Sequence, residues 1–522
     1  MLDFGEPHQE ICLREYQEAS VQGLRIGIGS GEKRQVLVAP TGAGKTVIAA
    51  HLLNQANEKG SYALFLVDRV SLVDQTSATL DNYGVNHGII QGINQRFDPY
   101  ENVQVCSIQT LARRKLPRNP NLIIYDEAHC RYKAIEQYID TNPQAVVIGL
   151  TATPFTAGMA ERWGGMVNVT TTMQLVRDKF LIEPKIYVAK SPDEKDFEPN
   201  SYGEFSDSSA ASAGILIIGD VVSEWVGKTF EHFGGPAKTI VFSPTVEHGR
   251  ELCQAFRDRG YNFQQISYLD RDDDERRKKI EEFRRPDSTI HGLVSCGVLT
   301  KGFDVGDVMI GISCKPYRKS LSSHLQEIGR VMRTHPGKEK ALWLCHSGNV
   351  ERFAIDQYDV WENGAGELSS ATKRDSEPRE KSEQKKEAVV CPECSGAMNN
   401  GTCRACGYER PARSGINAIE GELKQFDLKK VSAFEPRAGL RADCLSDPKV
   451  VWRAALNYCS VSSRKGEQAA RKWAYGVWSG IYPNNKLPRG WFDSPIVPNA
   501  DVNALSLIER EVKRFRKKNR AA

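Results

Sequence analysis

The chain of 522 residues predicts an α/β protein, with parallel β-sheets carrying helices on both faces. Three observations point there. Apolar, β-branched runs at 35–39, 63–67, 103–106, 121–125 and 145–150 alternate with helical stretches across residues 10–165. A second alternating series has runs near 238–242, 292–296, 309–313 and 341–345. Two strand ends also carry residues that a buried strand does not need, and ligands of such sheets sit beyond the carboxyl ends of strands.

The first of these ends is QVLVAPTGAGKT at 35–46. The strand Val36, Leu37, Val38 runs into a turn and then a helical segment, Thr46 to Ala50. Gly42 and Gly44 let backbone N–H groups curl around phosphates. Lys45 reaches β- and γ-phosphates, and Thr46 holds magnesium. The loop opens with Ala39 and Pro40 where glycine is usual. Strand, loop and helix in that order favour a P-loop over an ordinary surface turn. The second end is NLIIYDEAHCRY at 121–132, where Asp126 and Glu127 close an apolar run. Paired carboxylates there are costly unless they meet a cation, and a magnesium-bound nucleoside triphosphate supplies one. A solvated strand end is the bland alternative, and the upstream P-loop makes it remote.

The length exceeds one core, so three or four domains are expected. A hydrophobic content of 40% and a charged content of 26% describe a soluble globular protein. No run approaches a membrane span, and MLDFGEPHQE lacks the features of a signal peptide. Both readings point to the cytoplasm and away from membranes. The thirteen cysteines do not suit a disulfide framework. Cys106, Cys130, Cys253, Cys296, Cys314 and Cys345 read as small buried thiols. Net charge is only +4, yet residues 441–520 hold 16 Lys or Arg against 7 Asp or Glu. Such asymmetry suits a basic region meeting a polyanion, or a solubilising tail.

Further segments fall in order: LREYQ at 13–17, LFLVDRVSLVDQ at 64–75, VCSIQTL at 105–111, GLTATP at 149–154, IVFSPTVEHGREL at 240–252, LVSCGVLTKGFDVGDV at 293–308 and HLQEIGRVMRT at 324–334. This ordered series resembles superfamily 2 helicases of the DEAH-like kind, and within them RadD-like and phage or prophage helicases. The resemblance covers about 10–350. It implies two RecA-like parallel-sheet domains in tandem, and the cysteine spacing and helical patterning beyond it add a zinc ribbon and a small, mostly helical C-terminal domain. The expected boundaries are 1–165 for the first RecA-like domain and 166–236 for a connecting segment and the start of the second lobe. The second RecA-like domain takes 237–362, a charged linker 363–388, the ribbon 389–410, another linker 411–440 and the basic helical domain 441–522.

The resemblance also implies roles. Gln17 would pair with an adenine edge beside Arg14. Pro40, Thr41, Gly42, Ala43, Gly44, Lys45 and Thr46 would hold ATP and Mg2+, with Asp126 on the metal. Glu127 would orient or deprotonate the attacking water. His129 would sense the γ-phosphate, and Thr151 and Thr153 would link hydrolysis to nucleic-acid contact. Gly302, Asp304 and Gln326 would complete the nucleotide site, with Asp304 on ribose or bridging the lobes. Lys301 departs from the family, which often has Arg or Thr there. Arg330 and Arg333, three apart on a helix, would share a face and stabilise the transition state. Strand contacts are expected from Arg69, Gln109, Thr110, Ser243 and Thr245, which read equally well as local caps.

Cys391, Cys394, Cys403 and Cys406 form paired C-x-x-C knuckles eight residues apart, a spacing for structural Zn2+. A redox pair or unligated thiols are the alternatives. Farther on, Trp473, Tyr475, Trp478, Tyr482, Trp491 and Phe492 are interleaved with Arg471, Lys472, Lys486 and Arg489. That pattern suits base stacking, but the helical spacing favours a small core. Leu505, Ile508, Val512 and Phe515 form a stripe on a last helix. The sequence thus points to an ATP-dependent helicase or translocase, with DNA favoured over RNA. The resemblance adds protein partners from DNA repair or replication. A nucleic-acid-stimulated ATPase that remodels or anneals without unwinding is the competing class.

Overall fold

The computed structural model describes residues 10–68, 70–156, 158–189, 218–270, 273–298 and 305–366, and shorter stretches at 200, 204–206, 368, 398–399, 402–403, 423–428, 448–462, 466–482, 487–494, 496 and between 504 and 514. Two seven-stranded sheets dominate it. The first contains β1 (Arg34–Val38), β2 (Ala63–Val67), β3 (Gly88–Ile90), β4 (Val103–Ser107), β5 (Leu122–Asp126), β6 (Val146–Thr151) and β7 (Gly165–Asn168). Their order is β3-β4-β2-β5-β6-β1-β7, and every pair is parallel. β5, β6 and β1 are neighbours, which brings their carboxyl ends together.

The second sheet contains β8 (Lys185–Val188), β9 (Thr239–Phe242), β10 (Phe263–Ser267), β11 (Gly292–Cys296), β12 (Ile310–Ser313) and β13 (Leu342–Cys345). Two short strands, β14 (Met398–Asn399) and β15 (Thr402–Cys403), pair with each other. β16 (Lys424–Phe426) returns to the second sheet. The order is β10-β11-β9-β12-β13-β8-β16, parallel except where β16 runs against β8. Every strand expected from the sequence is present within two residues. β3, β7, β8, β10 and β16 were not expected. β3, β7, β8 and β16 have only three or four residues, and β10 (FQQIS) breaks its apolar run with two glutamines.

Central strands of both sheets are apolar because helices cover both faces: β2, β4, β9, β11, β12 and β13 are buried throughout. In the second lobe, Trp225 on the helix Ile218–Phe233 is fully buried. Its ring meets Phe256, Tyr261 and Phe263 edge-on at centroid distances of 5.3, 4.9 and 5.1 Å. Its indole N–H donates to Thr239 Oγ1 at 2.7 Å, so burial leaves no unpaired polar atom.

Near the C-terminus the helices Pro448–Ser462 and Glu467–Ile481 pack around Trp452, Trp478, Tyr482, Ile508 and Val512. Most described aromatics of this region are therefore core; among them only Tyr475 is well exposed, at 43%. Arg471 holds the backbone carbonyls of Phe492 and Ser494 and pairs with Glu467. Lys486 and Phe515 lie outside the described residues, as do Cys391, Cys394 and Cys406; of the cysteine set only the backbone of Cys403, opposite Met398, is described. Among the described residues no helix is long and apolar enough to cross a membrane. Cys106, Cys253, Cys296, Cys314 and Cys345 are buried and unbridged, and Cys130 is half-buried.

Replacing Trp225 with Ala should cost about 3–5 kcal/mol of stability, because it removes a large side chain from a close-packed site. Urea unfolding of the second lobe measures it, and a cost below about 1 kcal/mol would contradict this packing.

Candidate functional site

The loop after β1 is pinned at its start, where Ala39 N donates to Thr151 O at 2.9 Å. It then turns through Gly42 (φ +89°) and Gly44 (φ +81°), a left-handed backbone that suits glycine. Contacts reinforce that requirement. A Cβ on Gly42 would stand 2.7 Å from Leu181 Cδ2, and one on Gly44 would stand 2.4 Å from Gln17 Nε2. Gly44 caps the helix Lys45–Glu58, so the positive end of the helix dipole opens beside Lys45 and Thr46.

Gln17 supports this loop from beneath. Its Nε2 donates to Ala43 O at 3.0 Å, and its Oε1 accepts from Arg14 N at 2.9 Å. Gln17 is buried and does not line the cavity described below. The bidentate grip on an adenine edge expected from the sequence would use the two amide atoms that here hold backbone. Arg14 does reach the cavity, with its guanidinium 3.7 Å from the centre of the Phe180 ring.

At the end of β5, Asp126 Oδ1 accepts from Glu127 N at 3.0 Å. Burial pushes the Asp126 carboxyl up to about 6, opposed by Lys45 and reinforced by Glu127. Glu127 has φ +53°, a strained conformation for a residue with a side chain. The turn is held by Ala128 N on Leu150 O and Cys130 N on Glu127 O. His129 Nδ1 lies 2.9 Å from Thr151 Oγ1 and 3.3 Å from Glu127 Oε2. Thr151 Oγ1 also accepts from Thr153 N, and Thr153 Oγ1 meets Ser322 Oγ of the second lobe at 2.6 Å.

The helix expected to carry both arginines stops at Ile328. Arg330 sits on the following turn, and Arg333 forms a bridge with Leu181. This corrects the shared helical face. At Gly329, the first residue past the helix, a Cβ would stand 2.9 Å from Thr41 Cβ. The chain meets the loop of the first lobe at that point and turns aside. Both arginines nevertheless reach the same place. One cavity of about 380 Å³ is lined by Arg14, Pro40, Thr41, Gly42, Gly44, Lys45, Thr46, Asp126 and Glu127 from one side and by Gln326, Arg330 and Arg333 from the other. Ala43 and His129 are not part of this lining. Phe180 and Leu181 line it too, and nothing in their local pattern announced it.

Gly302 and Asp304 lie outside the described residues, as do Lys301 and Arg69. Of the other expected strand contacts, Thr245 caps the helix Val246–Asp258, and Ser243 donates to the carbonyl of Thr245. Gln109 donates to Asp68 O, and Thr110 accepts from Gly92 N. Ser243 and Thr245 have the local partners of the capping reading, whereas Gln109 and Thr110 tie together segments 41 and 18 residues apart.

Residues 10–156 match the type III restriction enzyme res subunit family, and residues 224–335 match the helicase conserved C-terminal domain. A 51.5 kDa protein of a Lactococcus phage is 27% identical over 76% of this chain and 83% of its own length. The irc3 protein of Schizosaccharomyces pombe, whose name assigns it ATP-dependent helicase activity, is 28% identical over 66% of this chain. The alignment spans only 58% of that protein's length. Among solved structures, a fragment of an HsdR subunit of a type I restriction enzyme from Vibrio vulnificus shares the fold. Its TM-score is 0.53 at 21% identity, covering 68% of this chain and 67% of that one.

Just before the arginines, Glu327 is fully buried and accepts from Tyr317 Oη at 2.6 Å. Burial raises its carboxyl from an ordinary 4.5 to about 8. Its proton is held more tightly in the folded state, so the stability it contributes is complete below about 4.5 and is lost as pH rises through 8. Glu327→Gln should flatten the fall in urea midpoint between pH 5 and pH 8 by removing this titration. An unchanged slope would contradict the assignment.

Proposed function

This chain belongs to the superfamily 2 helicases, and from that premise we propose that it is an ATP-driven helicase or translocase on DNA. One observation carries the reading: the phosphate-type loop of one sheet and the arginines of the other line the same cavity. The residues fit a magnesium nucleoside triphosphate. Gly42 and Gly44 leave a cradle that a Cβ would fill, and a helix N-terminus opens onto it. Asp126 is a half-buried carboxylate whose ionisation a cation would favour. Bound there, magnesium would offset phosphate charge and orient the triphosphate.

The roles follow from position. Lys45 and the backbone of 42–46 grip the phosphates, while Thr46 and Asp126 hold the metal. Glu127, set by its strained backbone, orients the attacking water and takes its proton. Arg330 and Arg333 donate to the γ-phosphate oxygens where charge develops, a contribution of about 10³–10⁵ in rate for such groups. Hydrolysis then depends on both lobes at once. The hydrogen bonds from His129 through Thr151 and Thr153 to Ser322 give the state of the site a route to the second lobe.

The choice of DNA rests on the motif resemblance and on the basic excess of residues 441–520. Two further relatives, at 24% identity, are named endonuclease subunits of type I restriction enzymes, which agrees with it. Structural zinc on Cys391, Cys394, Cys403 and Cys406 rests on their spacing alone, and metal analysis of the purified protein tests it. The seven-part division of the chain given by the sequence stands as a proposal alongside it.

Lys45→Ala should abolish ATP hydrolysis; persisting turnover would refute the site. Arg333→Ala should leave nucleotide affinity in place and slow hydrolysis by about 10³-fold or more. Unchanged turnover would remove its role. ATPase and strand-displacement assays with single-stranded, duplex and forked DNA, and with RNA, test the substrate. Stimulation without displacement would favour the remodelling class, and a preference for RNA would overturn the choice of DNA.

A further inference from the structure

Residues 329–334 carry both arginines yet lie beyond the end of a helix, so regular structure does not fix them. They are gripped from two sides. On one side Ile182 N donates to Met332 O at 2.7 Å, within the bridge between Leu181 and Arg333. On the other stands the ammonium of Lys338, a residue only 6% exposed. Its Nζ donates to Val331 O at 2.8 Å, to Arg333 O at 2.8 Å and to Gly306 O at 3.2 Å. Carbonyls 331 and 333 face the lysine while carbonyl 332 faces the connector, the alternation of an extended chain.

The third acceptor matters as much. Gly306 belongs to the loop before β12, and Asp307 beside it pairs with Lys238 at 2.6 Å, just ahead of β9. A Cβ on Gly306 would stand 3.2 Å from Thr334 O, so loop and arginine segment are in close contact. Lys338 therefore ties the arginine segment to the frame of the second sheet. An ammonium has three N–H donors, and three carbonyls take them. Burial drives the group down to about 7, with Asp307 opposing and Arg333 adding to the shift.

We propose that Lys338 is a positioning residue for hydrolysis: by gripping the carbonyls of Val331, Arg333 and Gly306, its ammonium sets where Arg330 and Arg333 reach into the cavity. The proposal rests on the ATPase reading above. It separates Lys338 from an ordinary buried lysine that merely satisfies carbonyls. A misplacement of about 1 Å at a charge-stabilising group can cost about 10²-fold in rate while substrate binding survives.

The test is a double-mutant cycle in the full-length chain with Lys338→Met, Arg333→Ala and the pair. The readouts are kcat and KM for ATP with saturating single-stranded DNA, affinity for a fluorescent ADP analogue, and thermal midpoint. Lys338→Met should lower kcat by about 10²-fold and leave the analogue's affinity within about twofold, the range of independent sites. The double variant should be no slower than Arg333→Ala by more than about twofold. Lys338→Gln, which keeps two N–H donors, should recover part of the rate. If Lys338→Met does not fold, Lys338→Gln takes its place in the cycle, with a smaller loss and the same non-additivity. Losses that multiply, or a lowered thermal midpoint with normal kcat, overturn the proposal. Failure of the underlying reading looks different, because Lys45→Ala would then retain turnover.

Discussion

The helix Leu321–Ile328 ends so close to the first lobe that Gly329 has no room for a methyl group beside Thr41. That approach brings residues of both lobes to one cavity. The loop between β1 and its helix lines one side of a cavity, and the segment after Ile328 lines the other. Neither half has the chemistry alone. In the proposed reading Lys45 and Asp126 take phosphate and metal, while the positive charge needed opposite the γ-phosphate comes from Arg330 and Arg333. Bringing cations of two lobes into one cavity is costly by their mutual repulsion, and a bound polyanion offsets it. In that reading lobe closure and nucleotide binding favour each other.

The same seam carries a second contact of a different kind. Thr153 Oγ1 and Ser322 Oγ meet at 2.6 Å, with Thr153 buried. Through Thr151 this bond is continuous with His129 and hence with Glu127. Hydrogen bonds away from water are directional and costly to break without replacement. A change at the phosphate end therefore has a short physical path to the helix that leads to the arginines. Gly42 against Leu181, Arg333 in a bridge with Leu181, and Lys338 behind Arg333 show how tightly the rest of the seam is specified.

Much of this was legible in the chain. The strands β1, β2, β4, β5 and β6 and their counterparts in the second sheet announce themselves as apolar runs, because central parallel strands are buried on both faces. The loop at 39–46 and the pair Asp126–Glu127, which line one cavity in the fold, stood out because polar chemistry at a strand end has no packing explanation. The short edge strands were not: β7 and β16 lack long apolar runs and owe their conformation to neighbours. The shared helical face of Arg330 and Arg333 misled too, since local periodicity continues past Ile328, where the helix ends close against Thr41. Gln17 resembled a base reader, and its amide braces Ala43. Phe180, Leu181 and Lys338 gave no signal, because their importance lies in contacts made by distant parts of the chain.

A reversible lock across the seam tests the central idea most directly. Cysteines at Thr153 and Ser322, whose oxygens already touch, should form a disulfide on oxidation that holds the lobes together. If opening is needed to release products, the oxidised protein should cut about one ATP per site and then stall, and reductant should restore steady turnover in the same sample. Unchanged steady-state hydrolysis in protein shown to be fully cross-linked would contradict the account.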